Sequence, residues 1–142
     1  ALGGALASVF PTSWVGGDGA ALDIEPVPFE PGAAELTEAG SAVIDEVAQV
    51  LAQKDSLRVR ICGKGTRQDL TVLRGLDPAA PEPLGDASEA EVNQVLELAL
   101  ERGKAVRGDL VERYGIAADR IGDCRTSYSF EGDAPPRAEF QL

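Results

Sequence analysis

The sequence predicts an α/β fold, an α+β sandwich in the order strand, helix, strand, long loop, helix, strand, strand, with two helices on one face of a small mixed sheet. Three observations carry that expectation. Apolar residues recur at helical spacing in two separate windows, around Val43–Leu51 and Val92–Leu110. They alternate with polar residues at period two in Leu57–Ile61 and again in the closing RAEFQL. Each helical window is followed by a strand, the pattern that returns a chain to its own sheet through right-handed β-α-β crossovers.

Residues 1–20, ALGGALASVFPTSWVGGDGA, show neither period and read as a lead-in segment. Val9, Phe10, Trp14 and Val15 make it too apolar for a free tail, so it is expected to pack on the domain or on chain further upstream. Residues 21–142 form the domain proper. Ala21 to Phe29 alternates Leu22, Ile24, Val27 and Phe29 against polar residues and two prolines, which suits an edge or irregular strand. Glu30 to Ala34 is a turn. Thr37 caps a helix running to about Lys54, with Val43, Ile44, Val47 and Leu51 on its apolar stripe.

Leu57, Val59 and Ile61 alternate with Arg58 and Arg60, a half-buried strand ending at Cys62 and Gly63 whose polar face is cationic. Residues 64–87, rich in Pro and Gly, then form a long loop in which Leu70 to Leu73 can make a short helical turn; loops beyond ~15 residues are usually functional or mobile. Ser88 and Glu91 are a capping box opening the second helix. Gly103 sits on its apolar stripe, and since a mid-helix glycine costs ~1 kcal/mol relative to Ala, it implies close approach of another backbone. Gly115 stands where a helix-terminating glycine belongs, and Ile121 opens a third strand running toward Tyr128. In the last strand Ala138, Phe140 and Leu142 share one face and Arg137, Glu139 and Gln141 the other.

A chain of 142 residues is one domain's length and buries roughly two thirds of its unfolded surface. No apolar run approaches the ~20 residues of a membrane-spanning helix, so no span is expected in this stretch. The net charge of −11 repels nucleic acid and anionic lipid on average, which excludes both as partners, although Arg58, Arg60, Lys64 and Arg67 cluster around one strand end and leave a local basic spot for a carboxylate. There is no His, which removes imidazole-based triads and most zinc sites; no catalytic residue, metal or cofactor is expected. Lys64-Gly65-Thr66 is not a phosphate loop, because Gly65 separates the lysine from the threonine. Asp119 and Asp123 read as helix-end and turn residues, not as a metal pair.

Arg102 stands out. Its helical neighbours at three and four residues are Leu98, Ala99, Ala105 and Val106, none of them a carboxylate, so its anionic partner must come from elsewhere in the fold or from a ligand.

The FEPGAAEL entry to the first helix, RVRICG, LALERGKAV with Arg102, GIAADRI and the closing RAEF together resemble an OmpA-like domain, the βαβαββ module with which many bacterial envelope proteins hold peptidoglycan, from about Ile24 to Leu142. The lead-in SVFPTSWVGGDGAALDIEPVPFEPGAAEL is similar to the C-terminal end of very large AsmA-like proteins of Gram-negative bacteria. The start at Ala1 then reads as an excised or processed piece, with any signal peptide outside it. The resemblance implies a non-catalytic docking or anchoring unit in the periplasm or cell envelope, outer-membrane associated in the fuller form of that reading. Its partner is a peptidoglycan peptide, held weakly, or another envelope protein.

Peptidoglycan-binding members place an aspartate after the central strand, in a Gly-x-Thr-Asp context, and grip the zwitterionic end of diaminopimelate with it and the helix arginine. Here the position reads Gly63-Lys64-Gly65-Thr66, a hydroxyl in place of the acid. Losing such a charge-assisted bond weakens binding by ~1.5–3 kcal/mol. Asp69 can substitute as ligand partner, which keeps a functional diaminopimelate site with Arg102, or it can pair with Arg102 structurally; both readings stand. The candidate ligand-binding residues are Thr66, Asp69, Arg102 and Arg137, the last retained from the family's final strand while its forerunners have become Pro135 and Pro136; Asn93 is a displaced counterpart of the family's helix asparagine. Cys62 and Cys124 form a disulfide if their strands are neighbours in an oxidising periplasm, and are two buried thiols otherwise.

Overall fold

The structure, a computed structural model, describes residues 24–79, 85–132 and 134–141. The lead-in of residues 1–20 lies outside them. Strand β1 is Val27–Pro28, helix α1 Glu38–Gln53, strand β2 Val59–Thr66, helix α2 Arg67–Leu73 and helix α3 Glu89–Glu112; a 3-10 turn, Ala118–Arg120, leads into β3 (Ile121–Asp123), followed by β4 (Ser127–Ser129) and β5 (Arg137–Gln141). The sheet runs β1-β5-β2-β3, with β4 also on β2. β5 is antiparallel to β1 and β2, whereas β3 and β4 are parallel to β2.

Period two decides which side of the sheet is core. Val59 and Ile61 of β2, Ala138 and Phe140 of β5 and Val27 of β1 point the same way and meet Ile44, Val47, Ala48 and Leu51 of α1 and Val106 and Leu110 of α3. Both long helices therefore cover one face. Their ends are fixed as the sequence suggests: Thr37 Oγ1 accepts from Gly40 N at 2.9 Å, Ser88 Oγ from Glu91 N at 3.1 Å, and Glu91 Oε1 from Ser88 N at 2.9 Å. Past α3 the chain turns through Gly115 at φ 69°, and Ile116 N reaches back to Leu110 O.

Four expectations need correction. The first strand is only two residues long, since Pro26 and Pro28 offer no N–H to the ladder. The central strand does not stop at Cys62 but runs on to Thr66, and the loop expected from Lys64 begins as three strand residues and a seven-residue helix. Gly63, expected to end the strand, instead lets α3 lie on it, as does Gly65: a Cβ on Gly63 would fall 1.8 Å from the Ala99 carbonyl oxygen, and one on Gly65 2.2 Å from Val95 Cγ1. The close approach inferred at Gly103 belongs to Gly63, because a Cβ on Gly103 would meet nothing nearer than 3.8 Å.

The third strand is split. β3 pairs with Val59–Ile61 and β4 with Lys64–Thr66, and the register moves by one residue between them, leaving Cys124–Thr126 outside the ladder. Cys124 is disulfide-bonded to Cys62 across this gap, Cα to Cα 4.8 Å, the spacing of neighbouring strands.

Candidate functional site

The site is assembled where β2 ends and α2 begins. Thr66 is the residue before α2, and Asp69, in the helix's first turn, folds back so that Oδ2 accepts from Thr66 N at 2.9 Å and from Thr66 Oγ1 at 3.3 Å. A second segment arrives from the opposite side. Ala33 N donates to Glu30 O at 3.1 Å, closing a β-turn with Pro31 and Gly32 at its centre, and Gly32 has φ 75°, the type II arrangement. Its Gly32 N–H points into the site and donates to Asp69 Oδ1 at 2.8 Å.

Arg102 enters from α3 and is completely enclosed, with 0 % of its side chain and 0 % of that of Asp69 exposed. The two form a fork-to-fork pair, Nη1 to Oδ2 at 2.7 Å and Nη2 to Oδ1 at 2.6 Å. The remaining donors go to main-chain oxygens: Nε to Ala33 at 2.9 Å, Nη1 to Lys64 at 3.0 Å and Nη2 to Glu30 at 3.2 Å. A guanidinium has five N–H donors, and every one is engaged inside the chain. The ring of Phe29 lies 5.5 Å from the guanidinium carbon and completes the enclosure. Asp69 is equally satisfied, because its two oxygens accept from Gly32, Thr66 and Arg102 and a carboxylate has about four lone-pair positions.

Of the four candidate residues, then, Thr66, Asp69 and Arg102 come together. Arg137 does not join them. It lies on the opposite face of the sheet, where Nε donates to Glu139 Oε2 at 2.6 Å. Cys62, also on that opposite face, is wholly buried under these polar neighbours.

Several solved structures share this architecture. The OmpA-like domain of FopA1 from Francisella tularensis subsp. tularensis SCHU S4 superposes with a TM-score of 0.59 over 82% of this chain and 69% of that one, at 14% sequence identity. The C-terminal domain of Helicobacter pylori MotB superposes with a TM-score of 0.55 over 82% of each chain, at 15% identity. The fold is OmpA-like. No family model matches the sequence, and no curated protein matches it. At such identities the likeness is one of backbone architecture, and site chemistry has to come from this chain's own residues.

Within this OmpA-like frame several anchoring contacts lie beyond the sequence-based expectations. The Glu30–Ala33 turn supplies three of the groups that satisfy Arg102 and Asp69; its Pro-Gly pair was a legible turn signal, but nothing local said which way the peptide groups would face. The Thr66-x-x-Asp69 spacing is the signature of a helix start and would have placed α2. Farther off, Arg120 donates to Leu51 O at 2.7 Å, Lys54 O at 2.5 Å and Leu57 O at 3.2 Å, closing the C-terminal end of α1, whose own last turn holds no basic residue. Arg74, at the end of α2, pairs with Glu91 at 2.7 Å and brackets the loop between the two helices. With the backbone bond from Ser88, that contact pulls the Glu91 carboxyl down to about 2.

Proposed function

We propose that this chain is a non-catalytic OmpA-like domain of the bacterial envelope, a docking or anchoring unit whose peptidoglycan recognition has degenerated. One observation carries the reading: all five N–H donors of Arg102 are bound within the chain and the side chain is sealed from solvent. Recognition of a diaminopimelate carboxylate requires a guanidinium edge that faces solvent. Here the Glu30–Ala33 turn occupies that edge. Asp69, the acid available for the ammonium, is spent on Arg102, Gly32 and Thr66. A non-catalytic role is supported by a chain without His whose two cysteines are bonded to each other, which leaves neither imidazole nor free thiol for covalent catalysis.

The cellular setting follows the sequence resemblance: the periplasm of a Gram-negative bacterium, outer-membrane associated, with this domain closing a large AsmA-like protein. No helix among the described residues is long and apolar enough to cross a membrane.

A solution titration with a diaminopimelate-containing muropeptide, followed by amide chemical shifts, tests the reading. No change at millimolar ligand is expected around Thr66, Asp69 and Arg102. Saturable shifts there would instead establish the alternative, a working diaminopimelate site built on Arg102 and Asp69, reached by opening of the Glu30–Ala33 turn.

A further inference from the structure

The ladder registers lay out the sheet face turned away from the helices. Along β2, Arg60, Cys62 and Lys64 point to that face, and Arg58 precedes them at the same period. Arg60 is flanked by Gln141 on β5 and Gly122 on β3. Cys62 stands beside Glu139, and Lys64 between Arg137 and Ser127. Among the described residues this face thus presents four cations, Arg58, Arg60, Lys64 and Arg137, against one carboxylate, Glu139, in a chain whose net charge is −11.

The cations are not equally available. Glu139 holds Arg137 at 2.6 Å and Lys64 at 4.0 Å, and Lys64 also donates to Ser127 Oγ at 2.9 Å. Arg58 and Arg60 are both exposed and make no ion pair or side-chain hydrogen bond with any described residue. They border a concavity of about 320 Å³ with Asp119, Arg120 and Gly122. Arg120 is committed to the end of α1, and Asp119 makes no ion pair with either free arginine. Gly122 leaves room for the stem of Arg60, whose Cγ would be 3.4 Å from a Cβ placed there.

Charge complementarity selects the occupant. A guanidinium pair takes carboxylate or phosphate. A long phosphate polymer or an anionic lipid surface feels the field of the whole molecule and is repelled by it. A short acidic stretch on another protein meets mainly the local field, because at physiological ionic strength screening acts within ~8 Å. Spacing adds a constraint. Side chains two apart on one strand face are ~6.6–6.8 Å apart along the strand, the same repeat as alternate residues of another extended segment.

We propose that the outer sheet face centred on Arg58 and Arg60 is a docking surface for a partner protein, and that it takes an extended acidic segment with carboxylates on alternate residues. The surface rests on the docking reading given above and supplies that reading with a partner chemistry.

The probe is the peptide acetyl-Glu-Thr-Glu-Thr-Glu-amide, with its all-Gln counterpart and inorganic polyphosphate as comparators, titrated into the labelled protein at 50 and 300 mM salt. Saturable amide shifts are expected at Arg60, Gly122 and Gln141 with the Glu peptide, several-fold weaker at the higher salt, with the Gln peptide silent and polyphosphate weaker than the Glu peptide. Arg58→Glu combined with Arg60→Glu should weaken the Glu peptide at least tenfold; both side chains are exposed, so the unfolding midpoint serves as a check that the fold survives. Silence with the Glu peptide, an unchanged affinity in the double variant, or shifts confined to residues away from this face would overturn the surface. Tighter binding of polyphosphate would overturn the polypeptide partner, and concentration-dependent self-association abolished by the same double variant would replace it with a second copy of this chain. The muropeptide titration reads a different set of amides around Arg102, so a failure of the docking reading there is separable from a failure at Arg58 and Arg60.

Discussion

Asp69→Asn isolates the role of the buried pair. The variant keeps the shape of the side chain and removes its charge. In the native chain the carboxylate accepts from Gly32 N, Thr66 N and Thr66 Oγ1 and twice from Arg102, so every neighbour is a donor. An amide must turn its own NH2 toward one group of those donors, whichever flip it takes. It also leaves a guanidinium at 0 % exposure without a counter-charge. Breaking a buried pair by removing one partner costs about 3–5 kcal/mol, a large share of the ~5–15 kcal/mol that holds a typical domain together. Urea unfolding followed by circular dichroism measures the loss at constant slope, and a thermal melt should fall by roughly 10–20 °C. Asp69→Leu combined with Arg102→Met tests the same idea from the other side. Removing both charges should recover most of the stability that either single change loses. A loss below about 1 kcal/mol in Asp69→Asn, or a double variant as unstable as the sum of the singles, would refute a structural role for the pair and return Arg102 to the ligand-binding reading.

Four further outcomes follow from the same coordinates. Gly63→Ala drives a methyl to within 1.8 Å of the Ala99 oxygen and should destabilise by more than about 2 kcal/mol, whereas Gly103→Ala brings a methyl no nearer than 3.8 Å to its neighbours, an ordinary contact, and should stabilise by about 0.5–1 kcal/mol in the same urea assay. Arg120→Met removes the donor to the last carbonyls of α1 and should lower stability by about 1–2 kcal/mol, with early amide exchange localised to Leu51–Lys54. Native protein unfolded without reductant should take up no thiol label by intact mass, and Cys62→Ser with Cys124→Ser should lose up to about 4 kcal/mol, as expected for a bridge spanning 62 residues of sequence. Glu91 has its carboxyl held at about 2 in the folded chain against 4.5 unfolded, so its contribution is fully present above pH 4.5 and disappears as pH falls toward 2; the stability gap between the native chain and Glu91→Gln should close over that window and stay flat above it.

The two long helices and the ends of the sheet were legible because their signals are local. Val43, Ile44, Val47 and Leu51 form a stripe, Ser88 and Glu91 a cap, and Ala138 and Phe140 an alternation; burial follows each pattern. The role of Gly63 and Gly65 was not legible, for the opposite reason. A glycine read alone signals a break, and only the helix lying on top, with Ala99 against Gly63 and Val95 against Gly65, explains why no side chain fits. Arg102 was legible as an unmatched cation but not as a closed one. The acid that satisfies it lies 33 residues away, and the carbonyls of Glu30 and Ala33 lie 72 and 69 away, so the choice between a ligand and the fold was not written in any local window. The role of Arg120 was illegible for the same reason, its acceptors at the end of α1 lying 63 to 69 residues upstream.

The place of Asp69 in α2 decides what the arginine can do. Asp69 sits in the first turn of a helix and satisfies the Thr66 N–H there, so it is tied to α2 and to Arg102 at once. The guanidinium in turn gathers the Glu30–Ala33 turn, the end of β2, α2 and α3 around one buried charge. A ligand carboxylate seeking two of its donors must first displace at least two main-chain oxygens, and hydrogen bonds to a charged group are worth about 1.5–3 kcal/mol each. That handicap of about 3–6 kcal/mol lowers affinity by roughly 10²–10⁴. The same residues that would form half of a binding site therefore act as a cross-brace of the fold. Arg58 and Arg60, exposed and paired with none of the described residues, carry no such handicap, and this asymmetry moves the expected point of contact from the helix arginine to the open face of the sheet.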